Sequence, residues 1–204
     1  MTRGSERSPA TESEVYHEVW DGRDLSSESF SRVAFVDVDM TETVSTGARF
    51  EQCTFRDVDL NSSVHTDTAF LNCTFTRSSF FGVRFAGCKL SGSMFDRCRF
   101  AVLQVHGGNW SFVGLPGADL RKARFENVSL READLTGARL DDALLRNVDL
   151  GGASLRQVNL NGCDLRGSDL SAVEPLATDL KGAVVDLDQA VVLVRNLGLD
   201  VRAL

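Results

Sequence analysis

The residues able to do chemistry in this chain are few and scattered. Three histidines, His17, His65 and His106, and five cysteines could act as general bases, nucleophiles or metal ligands. Neither set has the spacing that such chemistry requires. The histidines are isolated, and there is no Cys-x-x-Cys, no HExxH, no nucleophile elbow and no phosphate-cradling GxxxxGK. The expectation is a protein without enzymatic activity, metal or cofactor. Carboxylates remain: Asp and Glu number 29 against 22 Lys and Arg, for a formal charge of −7. That balance disfavours direct binding to nucleic acid, because no basic patch neutralises phosphates.

The elements that position these carboxylates follow from one frame. Every fifth residue from Leu25 to Leu170 is a spine position, and only Ser45 and His65 among these thirty are polar. A chain that is 43% hydrophobic would place about thirteen apolar residues there by chance. Two places before the spine the residue is usually small, and all five cysteines (Cys53, Cys73, Cys88, Cys98, Cys163) occupy that position. They read as inward space fillers.

A strand alternates faces every two residues, so a period of five cannot stay straight with one buried face. The chain must turn once per repeat, in the two residues after the spine, where Gly82, Gly87, Gly137 and Gly162 recur. A superperiod of twenty shows in Phe50-x-x-Cys53-Thr54-Phe55 followed by Phe70-x-x-Cys73-Thr74-Phe75, and in Asp37-Val38-Asp39 followed by Asp57-Val58-Asp59. Four repeats therefore close one coil, and residues 20–185 make about eight coils. The expected fold is all-β, a quadrilateral parallel β-helix followed by a short α-helix.

Residues 1–14 read as a disordered leader, 15–185 as the β-helix, and 186–204 as a C-terminal helix and tail that form a dimerisation module. Nothing at the start resembles a signal peptide, and no run reaches membrane-spanning length. The expected location is cytoplasmic, with no membrane partner. Asp186 or Asp188 can cap the helix and Gly198 can stop it. Leu187, Val191, Val194 and Leu197 are the expected dimer contact, with a thick monomeric cap as the alternative. Between Leu103 and Pro116 the pattern is irregular, and a bulged or re-aimed coil is expected there in place of an inserted loop.

Runs such as Ala133-Asp134-Leu135-Thr136-Gly137 and Cys163-Asp164-Leu165-Arg166-Gly167 resemble the A(D/N)Lxx signature of pentapeptide repeat proteins. That resemblance implies a right-handed, four-sided β-helix. The Phe-based first half, the Leu-based second half and the ending Gly182 to Leu199 are similar to the quinolone-resistance branch, the Qnr and mycobacterial MfpA proteins. The absence of in-frame loops favours the MfpA side. The branch resemblance implies an acidic homodimeric rod that imitates DNA, engages DNA gyrase (the subunit left open), modulates or inhibits it and protects it from fluoroquinolones. An interaction scaffold and an antibiotic self-immunity factor stay open. The carboxylates expected to form the recognition strip are Asp37, Asp39, Asp57, Asp59, Asp141, Asp142, Asp149, Asp164 and Asp169. Duplex DNA carries one charge per ~1.7 Å, so only a local strip of this rod could imitate it.

Overall fold

A computed structural model describes residues 8–202. The chain winds as a parallel β-solenoid of four faces per turn, with one helix, Leu187–Asn196, at its end. Every strand pair is parallel and offset by one coil. On the first face Val15 sits over Phe35, Phe35 over Phe55 and Phe75 over Phe95. The second face, with spine residues Trp20 to Leu180, is held by single bridges such as Asp39 with Asp59. The third face runs from Val44–Thr46 through six strands to Leu144–Arg146, and the fourth begins with Ser29–Ser31, Arg49–Glu51 and Ala69–Leu71.

The spine and the small positions form one continuous core, and the residue between them points outward. Phenylalanines stack along the axis, Phe50 on Phe70 at 4.7 Å and Phe55 on Phe75 at 4.5 Å, and meet edge-on across it. Such offset and edge contacts suit the ring quadrupole and add to the area buried. Cys53, Cys73, Cys88 and Cys163 are buried and unpaired, and Cys98 is half-buried.

The corner has a fixed conformation. From His17 to Gly167 the second residue after the spine is left-handed whether or not it is glycine: Asp37, Asp57, Asn147 and Gln157 have φ of 53°, 55°, 52° and 57°. Polar side chains tolerate that region better than β-branched ones.

The structure completes about seven turns against the eight expected. The ladder is interrupted once near the C-terminal end. Pro175 occupies a first-face spine position in a segment that no bridge joins to Ala153–Gln157, and the ladder resumes beyond it, Asn159 with Asp179 and Asp164 with Val184. The chain turns at Pro175 instead, with the Ala177 N–H on the Glu174 carbonyl at 2.9 Å. The irregular segment keeps register, since Gln104–His106 pairs with both neighbouring coils. Trp110 fits there because Gly108 precedes it. A side chain at 108 would run into the Cys88 backbone.

Residues 1–7 of the expected leader and 203–204 of the expected tail lie outside the described residues. Glu12 already donates its N–H to the Arg32 carbonyl at 2.7 Å, and the first strand begins at Ser13.

Candidate functional site

The nine carboxylates expected to form one strip fall on separate faces. Asp39 and Asp59 share the second face in consecutive coils and are bridged to one another through the backbone. Asp37 and Asp57 occupy the corner leading into that face. These four form one patch near the N-terminal end. Asp141 and Asp142 lie farther along, at the corner that follows Leu140. The outward position of that coil is a cation, Arg139, whose backbone bridges Asn159 and whose guanidinium reaches Asp141 at 3.8 Å. Asp164 is on the third face, and Asp149 and Asp169 are on the fourth. Arithmetic on the twenty-residue superperiod separates these faces, so the placement is available from the sequence.

Arginines engage carboxylates both away from the patch and within it, where Arg99 lies 3.7 Å from Asp59. Arg131 lies 3.3 Å from Asp149, and Arg146 and Arg166 clamp Asp164 at 2.5 and 2.8 Å. Arg166 first, with Arg146, holds the Asp164 carboxyl well below the usual carboxylate range. Within the patch, Asp57 receives two hydrogen bonds from Arg77 at 2.7 and 2.5 Å, which lower its pKa, and Asp37 meets His17 at 2.5 Å.

Further carboxylates extend the patch. Asp21 and Glu42 lie on the second face beside Asp39 and Asp59. Across the three second-face segments 18–22, 38–42 and 58–62 there is no basic residue. The signal that finds them is the same superperiod. The patch is a surface of carboxylates on a regular backbone, suited to meeting cations.

Burial holds His65 and three of the thiols in their neutral forms. His65 is fully buried in the spine, and loss of water lowers its pKa to about 3. Burial pushes the thiols of Cys88, Cys98 and Cys163 up to about 11, 12 and 12. Among the described residues, no three His, Cys, Asp or Glu side chains are grouped to hold a metal ion. No helix among them is long and apolar enough to cross a membrane.

At the other end, Asp186 caps the helix by accepting the Gln189 N–H at 2.9 Å, and the Gln189 side chain accepts the Asp186 N–H at 2.8 Å. The helix closes the rod with polar side chains that sequence reading missed. Gln189 donates to the Leu165 and Ser168 carbonyls at 2.6 and 2.8 Å, and Asn196 donates to the Val173 carbonyl at 2.8 Å. Val192 and Leu193 pack on the last coil beside them. The opposite side carries Leu187, 86% exposed, and Leu197, 43% exposed, with Val191 and Val194 half-buried. The four expected dimer residues therefore face away from the rod or lie at its margin.

Comparison with known proteins adds the following. Residues 78–155 match the family described as pentapeptide repeat region. The solved structure of full-length QnrB1, a plasmid-mediated fluoroquinolone resistance protein, is similar over 91% of this chain and 100% of its own, with a TM-score of 0.61 and 20% identity. A trypsin-treated QnrB1 variant is similar over 95% of this chain and 99% of its own, with a TM-score of 0.57 and 22% identity. At that identity the likeness establishes the fold. No curated protein matches the sequence.

Proposed function

We infer, from a chain that carries a pentapeptide repeat region wound into a Qnr-like solenoid, that it is an acidic rod engaging DNA gyrase in place of a DNA segment. It would modulate or inhibit the enzyme and protect it from fluoroquinolones. The observation that carries this reading is the second-face patch: Asp21, Asp39, Glu42 and Asp59, flanked by Asp37 and Asp57, with no basic residue among the face segments. Coils spaced by ~4.8 Å hold these charges on a rigid ruler, sparser than a duplex but fixed in place. Complementary charge against a basic groove would speed encounter and set orientation more than it would supply affinity.

Two supports are independent of charge. QnrB1 is named for fluoroquinolone resistance, and the exposed Leu187 and Leu197 on the terminal helix suit a symmetric end-to-end homodimer, which would double the length of the rod. The loop-free frame agrees with an MfpA-like arrangement.

A pull-down of purified gyrase subunits on the immobilised chain, at low and high salt, tests this reading. Retention of one subunit that weakens as salt rises is expected. Failure to retain either subunit at low salt would remove gyrase as the partner.

A further inference from the structure

The second face has one opening. On the N-terminal side its ladder repeats the same bonds: Phe80 N–H to the Arg99 carbonyl at 2.7 Å, Gly82 N–H to Ala101 at 2.9 Å and Arg99 N–H to Ser78 at 3.1 Å. One coil beyond the opening the pattern resumes, with Leu120 N–H to Arg139 at 2.8 Å and Lys122 N–H to Asp141 at 3.0 Å. Between Cys98–Val102 and Ala118–Lys122 the bonds are missing. The N–H groups of Phe100, Val102 and Asp119 have no partner among the described residues. The same two coils stay closed on either side, through Phe95 N–H to Gly114 at 2.9 Å and Arg124 N–H to Leu103 at 3.0 Å. The result is a local slot of about 480 Å³, lined by Cys98, Arg99, Phe100, Asp119, Arg121 and Lys122.

A second observation marks the same place. Val102 has φ of 61° and is 55% exposed, and it is the one β-branched residue among the left-handed corners of the described residues. That conformation is costly for a β-branched side chain, and such strain gathers where a ligand is held. The charge there also departs from the rest of the chain. Three cations, Arg99, Arg121 and Lys122, and one carboxylate, Asp119, line the slot, on a molecule of net charge −7. Arg121 is committed to Asp119 at 2.7 and 2.6 Å, while Arg99 turns toward Asp59, two coils to the N-terminal side at 3.7 Å, a long contact that it would give up on swinging to the slot.

We propose that this slot is an oxyanion site, in which a phosphate or carboxylate group seats on the Phe100 and Val102 N–H groups and is held by Arg99 and Lys122. Free backbone N–H groups at a corner favour an anion, and the two cations make the bonds charge-assisted. The carbonyls of Cys98, Asp119 and Arg121 also border the slot, so the anion lies toward the N–H edge, and Arg121 screens it from the Asp119 carboxylate. Occupancy replaces the missing ladder bonds and ties the two coils together at the middle of the rod.

Amide NMR titration of the whole chain tests this, with inorganic phosphate in one arm, glutarate in a second and sodium chloride at matched ionic strength in a third. Saturable shifts centred on Phe100, Val102 and Asp119 are expected in the phosphate or the glutarate arm, and which arm saturates identifies the source of the oxyanion. The paired substitution Arg99→Gln with Lys122→Gln should weaken binding about tenfold or more, and Lys89→Gln, on another face, should leave it unchanged. Shifts that follow ionic strength alone in all three arms would mean the slot holds only water and would overturn the proposal. Equal binding by the Arg99→Gln, Lys122→Gln protein would do the same. So would amide exchange at Phe100 and Val102 as slow as at Phe80 and Gly82, because the slot would then be closed in solution.

Discussion

Ser45 Oγ lies 2.7 Å from His65 Nδ1, one coil directly over the other in the third-face spine. Ser63 Oγ is 3.0 Å from the other ring nitrogen, and Ser45 also meets Thr68 Oγ1 at 2.7 Å. The two polar interruptions of the spine satisfy each other, which is the condition for burying polar groups without a large penalty.

Acid should therefore destabilise the rod through His65. Its pKa is about 3 in the folded chain because burial removes it from water, against about 6.5 when unfolded. The folded value is the lower one, so protonation favours the unfolded chain. Stability from this group is complete above pH 6.5 and is lost as pH falls toward 3, at up to roughly 1.4 kcal/mol per pH unit. Urea unfolding at pH 7, 5 and 4 should show the decline, and His65→Phe should flatten it. An unchanged slope in that variant would place the titrating group elsewhere.

Gly108→Ala should destabilise the chain by about 2 kcal/mol or more. Its φ of 97° is unfavourable for alanine, and the new methyl group would meet the Cys88 backbone. Thermal unfolding monitored by tryptophan fluorescence, in a Trp20→Phe background so that Trp110 alone reports, reads this directly. A shift within error would mean the coil yields freely at that point.

Gln189→Ala should cost about 1–3 kcal/mol while the helix persists, because two buried carbonyls on Leu165 and Ser168 lose their donor. Denaturant midpoint and helical circular dichroism, measured together, separate loss of the rod's seal from loss of the helix.

The repeat, the four-sided coil and the terminal helix were legible because a period of five with a superperiod of twenty leaves few geometries open. The coil count ran one too high because the frame of five continues through Pro175 in the sequence, whereas the bridges lapse between Ala153–Gln157 and that segment before resuming at Asp179. Gln189 and Asn196 went unread as capping residues because a polar residue within an apolar helix pattern looks solvent-facing until the carbonyls beneath it are seen. The open stretch beside Val102 has no sequence signature, since its frame is intact. Asp149 and Asp169 stack on the fourth face and Asp164 lies on the third, so the expected strip divides among faces once the twenty-residue coil is applied to every member.

Leu187→Asp combined with Leu197→Asp should convert a dimer to a monomer with little change in the protomer's own stability, since both side chains are exposed in the single chain. Sedimentation at micromolar concentration distinguishes the two states. A wild-type chain that already sediments as a monomer would remove the dimer.

The most direct test is a gyrase supercoiling assay comparing the wild-type chain with a variant carrying Asp37→Asn, Asp39→Asn, Asp57→Asn and Asp59→Asn. The wild-type protein should inhibit supercoiling at micromolar concentration, and the neutralised variant, confirmed folded, should lose at least tenfold in potency. No inhibition by the wild type, or equal inhibition by the variant, would contradict recognition through the acidic face.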